Sequence, residues 1–283
     1  GTVVQRTDQP IAVYVDDVYL INENMFNMGT ADVERVEILR GPQSTLYGRN
    51  AMGGLVHFIS KTPDDEFDAS AELTLGNYEY WNVKGMVNLP IVEDKLAARF
   101  NVTRSKRESV VKATNPAETR DLDDQDNLGF RGQLKASLSD NVELLLSGDY
   151  SKDDIRTFSL VPFDTGRDHE ANTFSAIDDD RTISGGSAKL TVNFDSFDFL
   201  SISAIRTLDT SLSGAGFLPT DVMNVFFSQD DTQISQEFRL VSTNDSRFQW
   251  VAGAYYIDDD RDQTSGLYLR DIVTLFGLPA PFN

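Results

Sequence analysis

The chain of 283 residues contains no cysteine, only two histidines and no apolar run long enough for a transmembrane helix. The missing thiols exclude a disulfide-stabilised scaffold and thiolate metal sites. The longest apolar run, Trp250 to Ile257, has the length of a strand, whereas a membrane-spanning helix needs about 20 residues. Low hydropathy does not exclude a transmembrane β-barrel, because only every second residue of a barrel strand faces lipid.

The first ten residues have neither the basic nor the apolar segment of a signal peptide. This absence fits either a mature chain whose leader has been removed or an internal piece of a longer protein.

Positive charge is also scarce, with 25 Lys and Arg against 45 Asp and Glu and a net charge of -20. Residues 1–62 carry a net charge of -2 and residues 63–283 carry -18. Since phosphate repels so acidic a chain, we predict no binding to nucleic acid. The carboxylates cluster in segments without strand periodicity, which we interpret as long loops. The clusters are Glu118, Asp121, Asp123, Asp124 and Asp126; Asp178, Asp179 and Asp180; and Asp258, Asp259, Asp260 and Asp262.

Such clusters could bind a divalent cation, because hard cations take several carboxylate oxygens. None of the three has the spacing of an EF-hand loop. We therefore interpret them as solvated, mutually repelling surfaces and predict no metal site and no cofactor.

After Pro63 the sequence alternates between apolar and polar residues in nine separate segments. A period of two predicts a β-strand in each, with the apolar members expected to face hydrocarbon. The nine segments are residues 69–75, 81–89, 96–103, 128–138, 142–147, 187–194, 200–205, 234–240 and 248–256.

The connections between these predicted strands are mostly short at one end and long at the other. That asymmetry is typical of an outer-membrane barrel, with tight periplasmic turns and long extracellular loops. A soluble antiparallel sandwich is the alternative. Two features favour the barrel: several segments approach the roughly 9–11 residues of a spanning strand, and three internal connections exceed the roughly 12–15 residues usual for loops of compact domains.

Residues 1–62 predict a small mixed α+β unit. Residues 11–20 suggest a hairpin turning at Asp16-Asp17, and 36–40 and 56–60 suggest two further strands. Thr30 could cap a short helix containing Asp32 and Glu34, and residues 43–47 could form one helical turn. The unit has too few apolar residues to fold well alone, so it needs a partner surface.

Three segments of this unit, DDVYL, VERVEILRGPQSTLYGRNAMGG and LVHFISKTP, resemble the plug-to-barrel passage of TonB-dependent outer-membrane receptors. The likeness is close over residues 10–63 and looser over the strands that follow. It implies a plug domain lodged in a barrel of about 22 strands in the cell outer membrane. It also implies import of a ferric siderophore, energised by the TonB complex of the inner membrane. Cobalamin, haem or an oligosaccharide as cargo, or a non-transporting receptor or adhesin, are the alternatives.

Compared with about 22 strands in the family, nine strands predict a fragment. We expect residues 1–62 to be the C-terminal part of a plug and 63–283 the N-terminal part of a transmembrane barrel, in contact with outer-membrane lipid. The TonB box and the first plug strands are expected to lie outside the chain. Two open sheet edges would not be tolerated in lipid, so we predict no transport by this piece alone. A complete nine-strand barrel is the alternative.

The resemblance also implies roles for individual residues. Arg35 and Arg40 match plug positions that face wall glutamates and hold the plug in place, which a bidentate guanidinium does well. A loop at the plug's outer tip, which contacts ligand in the family, maps to Asn22, Asn24, Met25, Phe26 and Asn27. The structural motif comprises Gly41, Pro42, Tyr47, Gly48, Gly53 and Gly54, where glycine permits unusual backbone. Alternate residues of a strand face opposite sides of the sheet, and this parity predicts which charged residues face inward. They are Glu72, Lys84, Arg99, Arg131, Lys135, Glu143, Glu237 and Arg239.

An enzyme is the competing class, since outer-membrane lipases hold a serine and a histidine close together on the barrel. His57 falls in the plug-like segment, and His169 falls in an acidic loop without a G-x-S-x-G neighbour. The sequence therefore predicts no catalytic residues and no enzymatic activity.

Overall fold

The computed structural model describes residues 11–26, 32–41, 52–157, 169–214, 222–243 and 247–269. This part of the chain is almost entirely β-structure, and its one helical element is a 3-10 turn, Glu23–Met25. Within the same residues, no helix has the length and apolar character needed to cross a membrane.

The first four strands form a sheet that we call the leading sheet. It contains β1 (Ile11–Val15), β2 (Val18–Leu20), β3 (Val33–Arg40) and β4 (Gly54–Ser60), in the order β2-β1-β4-β3. The β1–β4 pair is parallel, and the other two pairs are antiparallel. The predicted hairpin and the two predicted strands after it are therefore confirmed.

The turn between β1 and β2 is tight and is fixed to β4. Asp16 and Asp17 both have left-handed backbone, with φ of 48° and 69°, as a two-residue hairpin turn of the I′ type requires. The Asp17 amide donates to Nε2 of His57 at 3.0 Å. The Ser60 amide donates to Oδ1 of Asp16 at 2.7 Å. These bonds hold the two turn carboxylates in a defined direction.

The prediction of a short helix containing Asp32 and Glu34 is wrong, because strand β3 begins at Val33. Its backbone pairs with β4 along seven residue positions, and pairing along a whole strand outweighs a local capping signal. Thr30 and residues 43–47 lie outside the described residues.

Two motif glycines have the backbone that the sequence predicted. Gly41 and Gly54 have φ of 82° and 143°, a region that other residues rarely adopt. A Cβ at Gly54 would also lie 2.5 Å from the carbonyl oxygen of Leu39, so no side chain fits there. The Gly41 amide donates to the Gly53 carbonyl at 3.2 Å. Pro42, Tyr47 and Gly48 lie outside the described residues.

The nine strands predicted after Pro63 are confirmed and form one antiparallel sheet in chain order. Every strand pairs with its neighbour along the chain, as expected of an up-and-down meander. A separate two-stranded sheet pairs β8 (Lys112–Ala113) with β11 (Glu170–Ala171). The nine strands are β5 (Asp68–Leu75), β6 (Trp81–Val92), β7 (Leu96–Arg107), β9 (Gln125–Ser139), β10 (Val142–Thr157), β12 (Ile177–Asn193), β13 (Phe197–Gly214), β14 (Met223–Ser242) and β15 (Val251–Leu269).

The later strands are longer than predicted and include two acidic clusters that we expected in loops. Asp178–Asp180 lie in β12 and Asp258–Asp262 lie in β15, so the loop prediction is wrong there. Strands β12 to β15 have 17 to 20 residues, whereas about 9–11 cross a bilayer. The hydrogen-bonded ladder therefore continues past the apolar part of each strand, where carboxylates can project into water.

The nine-stranded sheet curves around the leading sheet. Arg99 of β7 contacts Asp32 next to β3, and Ile257 of β15 packs against a cluster containing Tyr14 of β1. Six strand spacings separate β7 from β15, roughly 29 Å, whereas the leading sheet is only about 14 Å wide. A flat sheet could not make both contacts. The nine-stranded sheet, which we call the wall, therefore curves around the leading sheet.

Candidate functional site

One contact between the two sheets is an apolar cluster. It joins the β1–β2 hairpin and the 3-10 turn to the inner face of β12 and β13, and its members are nearly inaccessible to solvent. Burial of this apolar surface favours association of the two sheets. The buried members are Val15, Val18, Leu20, Met25, Ile183, Ile202, Ala204 and Leu208.

This cluster reverses the orientation that alternation suggested for β13. The apolar residues of that strand were expected to face hydrocarbon, but Ile202 and Ala204 face the leading sheet. Ser201 and Ser203 lie on the opposite, outer face and share Gln236 as a partner, at 3.2 and 2.5 Å. The apolar partner of this strand is the leading sheet rather than lipid, and sequence periodicity does not distinguish the two.

A network of buried charges lies beside the cluster. Asp149 of β10 accepts from Arg131 at 3.2 Å and from Arg206 at 2.6 Å. Arg131 also pairs with Asp16 of the hairpin turn, and Arg206 donates to the Met25 carbonyl. Both arginines are 5% exposed. The network thus joins the wall to both ends of the segment from the hairpin turn to the 3-10 turn.

Gly185 of β12 makes room for this network. A Cβ at that position would lie 2.5 Å from an Nη1 atom of Arg206. The glycine therefore lets the guanidinium lie flat against the wall.

The second turn carboxylate is held by other bases of the wall. Lys189 of β12 donates to Oδ2 of Asp17 at 2.6 Å, and Arg239 of β14 lies 3.7 Å from Oδ1. Burial acts to raise the pKa of Asp17, but the Lys189 ammonium outweighs it and lowers that pKa below its usual range. Asp17 is therefore ionised and paired.

Polar side chains of β14 hold the segment that follows the hairpin. Gln233 donates to the Tyr19 carbonyl at 2.6 Å and accepts from the Ile21 amide at 2.9 Å. Asp231 accepts from the Asn22 side chain at 3.1 Å and pairs with Arg261 at 2.7 Å. On the other side of the leading sheet, Nε of Arg99 donates to Asp32 at 2.5 Å.

Among the described contacts between the two sheets, none involves Arg35, one of the two arginines expected to face wall glutamates. Arg35 is about half exposed and pairs with Glu37 at 2.9 Å and Glu34 at 3.5 Å on its own strand. Arg40 is exposed on the same strand. A wall contact for either residue stays a prediction. The observed pairs have the opposite polarity, with acids on the leading sheet and bases on the wall.

Parity placed Arg99, Arg131 and Arg239 on the inner face, and their contacts confirm this. Sequence reasoning did not match Arg131 to Asp16 or Arg239 to Asp17, because adjacent aspartates in a turn are also an ordinary hairpin signal. Lys189, Arg206, Gln233 and Asp231 were missed entirely, since nothing in their local pattern marks a polar contact.

The segment predicted to contact ligand is only partly available. Met25 is fully buried in the apolar cluster, and Asn22 is bound to Asp231 and also accepts from the Asn24 amide at 3.0 Å. Asn24 is exposed, and the half-buried Phe26 packs on Phe58 with ring centroids 5.0 Å apart. Asn27 lies outside the described residues. Ligand contact by this segment stays a prediction, and Asn24 is the most accessible of its described members.

Metal-binding groups and the histidine of the leading sheet are further candidates for functional groups in this region. The described residues contain no group of three or more His, Asp or Glu side chains that could hold a metal ion. His57 is buried, and burial lowers the pKa of its imidazole. A neutral His57 explains why its Nε2 can accept from the Asp17 amide.

A second ordered region lies in the connections that follow β7 and β10. Glu118 pairs with Arg120 at 3.1 Å and accepts from the Ala176 amide at 2.8 Å, and Arg120 reaches Asp178 at 3.2 Å. Burial acts to raise the pKa of Glu118, but these hydrogen bonds outweigh it and lower that pKa to about 2. The carboxylate therefore joins two connections.

Acidification is expected to separate these connections. Because folding lowers the pKa of Glu118, its stabilisation is complete above the unfolded value of about 4.3 and is lost as the pH falls towards about 2. The loss is on the order of 3 kcal/mol. Hydrogen exchange at the Ala176 amide should be measured in the complete protein as the pH falls from about 4.3 towards about 2. After correction for the intrinsic pH dependence of exchange, the protection of this amide should decrease over that range. A Glu118→Gln variant should exchange quickly at every pH; equal protection in both proteins would contradict the assignment.

Comparison with known proteins follows the same division of the chain. Residues 4–55 match the family model described as the TonB-dependent receptor plug domain. The pesticin receptor of Yersinia pestis is 31% identical over 139 residues, covering 49% of this chain and 19% of that protein. The catecholate siderophore receptor Fiu of Escherichia coli K12 is 30% identical over 107 residues, covering 36% and 13%. The chain thus spans a small part of the relatives it matches.

Solved structures resemble the whole arrangement. The ferric yersiniabactin uptake receptor FyuA of Yersinia pestis has a TM-score of 0.81 at 21% identity, covering 92% of this chain and 41% of that one. The siderophore receptor PiuA of Acinetobacter baumannii has a TM-score of 0.67 at 17% identity, covering 89% and 38%. At these identities the likeness concerns the fold, in which a small sheet sits inside a curved wall.

Proposed function

We propose that the chain is part of a TonB-dependent outer-membrane receptor, and that the complete protein imports a ferric siderophore complex. The observation that carries this proposal is the leading sheet held against the inner face of the nine-stranded sheet by Arg131, Arg206 and Lys189. A sheet in that position obstructs the lumen, as expected of a plug. In this reading residues 1–62 belong to the plug and 63–283 to the wall.

The same contacts support an external energy source. Removing one partner of a buried ion pair costs about 3–5 kcal/mol, and the leading sheet makes several such contacts in addition to its apolar cluster. Thermal fluctuations would seldom break all of them together. We therefore propose that the TonB complex supplies the work, acting through a segment outside this chain.

The cargo is proposed from the relatives and from the accessible turn. Similar proteins carry the names of a ferric yersiniabactin uptake receptor, a siderophore receptor and a catecholate siderophore receptor, and we assign a ferric siderophore as the cargo here. Asn24 and Phe26 are the proposed plug contacts, since an amide and an aromatic ring suit an organic chelate. Cobalamin, haem or oligosaccharide import, or a non-transporting receptor, remain the alternatives; we propose no enzymatic activity.

Iron uptake by a deletion strain tests this proposal. A strain lacking the complete gene should lose uptake of radioactive iron from at least one of ferric yersiniabactin, ferric enterobactin and ferric pyoverdine, and a plasmid copy should restore it. The TonB-deficient parent should behave like the deletion. Unchanged uptake of all three, together with lost uptake of cobalamin, haem or a glycan, would reassign the cargo. No change for any compound would contradict import.

A further inference from the structure

We propose that His57 is a pH-sensitive switch in the attachment of the leading sheet to the wall. The neutral imidazole holds the Asp16-Asp17 turn in the position where both carboxylates contact the wall, and protonation of the imidazole releases that turn. The inference goes beyond the proposed function, because it concerns the contact between the two sheets and does not depend on what the receptor carries.

The hydrogen bond between His57 and the turn forms with only one protonation state of the ring. The Asp17 amide donates to Nε2 at 3.0 Å, so Nε2 must present a lone pair and the proton of the neutral ring lies on Nδ1. A second proton would bind to Nε2 and face the amide N–H. Two donors would then oppose each other, and the hydrogen bond would be lost.

The surroundings of the ring make the charged form costly. His57 is 6% exposed, and its Nδ1 has no hydrogen-bond partner among the residues that the structure describes. The ring of Tyr14 lies edge-on to it, with ring centroids 6.0 Å apart, and the Tyr14 hydroxyl stays neutral because burial raises its pKa. Because burial of a charge is unfavourable, protonation favours an arrangement in which the ring reaches water.

Burial is the largest influence on His57, and it lowers the pKa of the imidazole. The nearby carboxylates of Asp16, Asp17 and Glu37 act in the opposite direction, and Glu37 is paired in register with His57 on β3. The ammonium of Lys189 adds to the lowering. The net pKa therefore lies below that of a free histidine, and the closed arrangement contains the neutral ring.

The turn that His57 holds makes two contacts with the wall. Asp16 pairs with Arg131, and Asp17 accepts from Lys189 at 2.6 Å. Loss of the bond to His57 frees the Asp17 backbone, whose φ of 69° is unfavourable for a residue other than glycine. The imidazolium would also compete with Lys189 for the Asp17 carboxylate. Both effects weaken the same attachment.

Acidification is therefore expected to open the turn over a defined pH range. Because the closed arrangement lowers the pKa of His57, its stabilisation is complete above the unfolded value of about 6.5 and is lost as the pH falls below that value. Opening takes up one proton, so the opening constant should rise by up to about tenfold per pH unit in this range. Asp17 stays ionised there, since its own pKa is lowered.

Native-state hydrogen exchange in the complete receptor, from about pH 8 to about pH 5, measures this opening. The informative amides are those of Asp16 and Asp17, which donate to the Phe58 carbonyl and to His57. After correction for the intrinsic pH dependence of exchange, their protection should fall below about pH 6.5. His57→Gln keeps an acceptor that cannot titrate and should abolish this fall. The matched control, His169→Gln, changes the exposed second histidine of the chain and should behave like the parent.

A third variant tests whether the switch acts on the contact with the wall. Lys189→Met leaves His57 in place, and it frees Asp17 to pair with the imidazolium. The pKa of the ring in the closed arrangement should then move towards its ordinary value. Opening should be easier than in the parent at about pH 8, but it should increase less on acidification.

Three results would overturn the inference. They are protection in the parent that does not change with pH, a fall in protection in His57→Gln as large as that in the parent, and an increase in opening in Lys189→Met equal to that in the parent. The last result would mean that His57 acts only within the leading sheet. None of these measurements needs a cargo, so a failure of the import proposal and a failure of this inference are distinguishable.

Discussion

Replacing Asp149 with asparagine is expected to lower the opening free energy of the β1–β2 hairpin by about 3–5 kcal/mol. The carboxylate accepts from two buried arginines, Arg131 and Arg206, at 3.2 and 2.6 Å. An amide of the same shape keeps the packing but removes the negative charge between them. Arg206 then has no carboxylate among its described contacts, and its bond to the Met25 carbonyl is strained by the repulsion from Arg131.

Native-state hydrogen exchange at the amides of residues 12–20 in the complete receptor measures this opening. The matched control is Asp154→Asn, because Asp154 lies on the same strand but is exposed. That change should leave hairpin exchange within about 0.5 kcal/mol of the parent. Equal protection of the hairpin in both variants would show that the charge network does not hold the leading sheet.

Sequence reasoning recovered the strand content because a strand depends on a local property. All nine alternating segments after Pro63 became strands of one meander, and the Asp16-Asp17 turn formed where the dipeptide predicted it. Strand ends were predicted poorly, as Asp178 and Asp258 show. Backbone pairing with a neighbouring strand continues where the apolar pattern stops, and an aspartate on the outer face beyond the bilayer interrupts no hydrogen bond.

The contacts between the sheets were predicted less well because they depend on pairs far apart in sequence. Asp17 and Lys189 are 172 residues apart, and no local pattern connects them. Parity correctly placed Arg99 and Arg131 on the inner face, but it could not say which carboxylate each would meet. The resemblance directed attention to Arg35, whose described partners are on its own strand.

Truncating Ile202 to alanine is expected to destabilise the attached hairpin by about 2–5 kcal/mol. Ile202 is 3% exposed and belongs to the cluster that contains Val15 and Leu20. Loss of its side chain removes buried apolar surface and leaves a cavity between the wall and the leading sheet. The increase in hairpin hydrogen exchange, measured on the same amides as for Asp149, reports the size of the effect.

Ile205→Ala is the matched control, since it makes the same change on the same strand three residues away. Ile205 is 47% exposed on the outer face of β13, so its truncation should alter hairpin exchange by less than about 0.5 kcal/mol. The pair tests the orientation of β13 directly. If Ile205→Ala loosened the hairpin and Ile202→Ala did not, the strand would be turned as simple alternation suggested. Its apolar residues would then face lipid, and the cluster could not be what attaches the leading sheet to the wall.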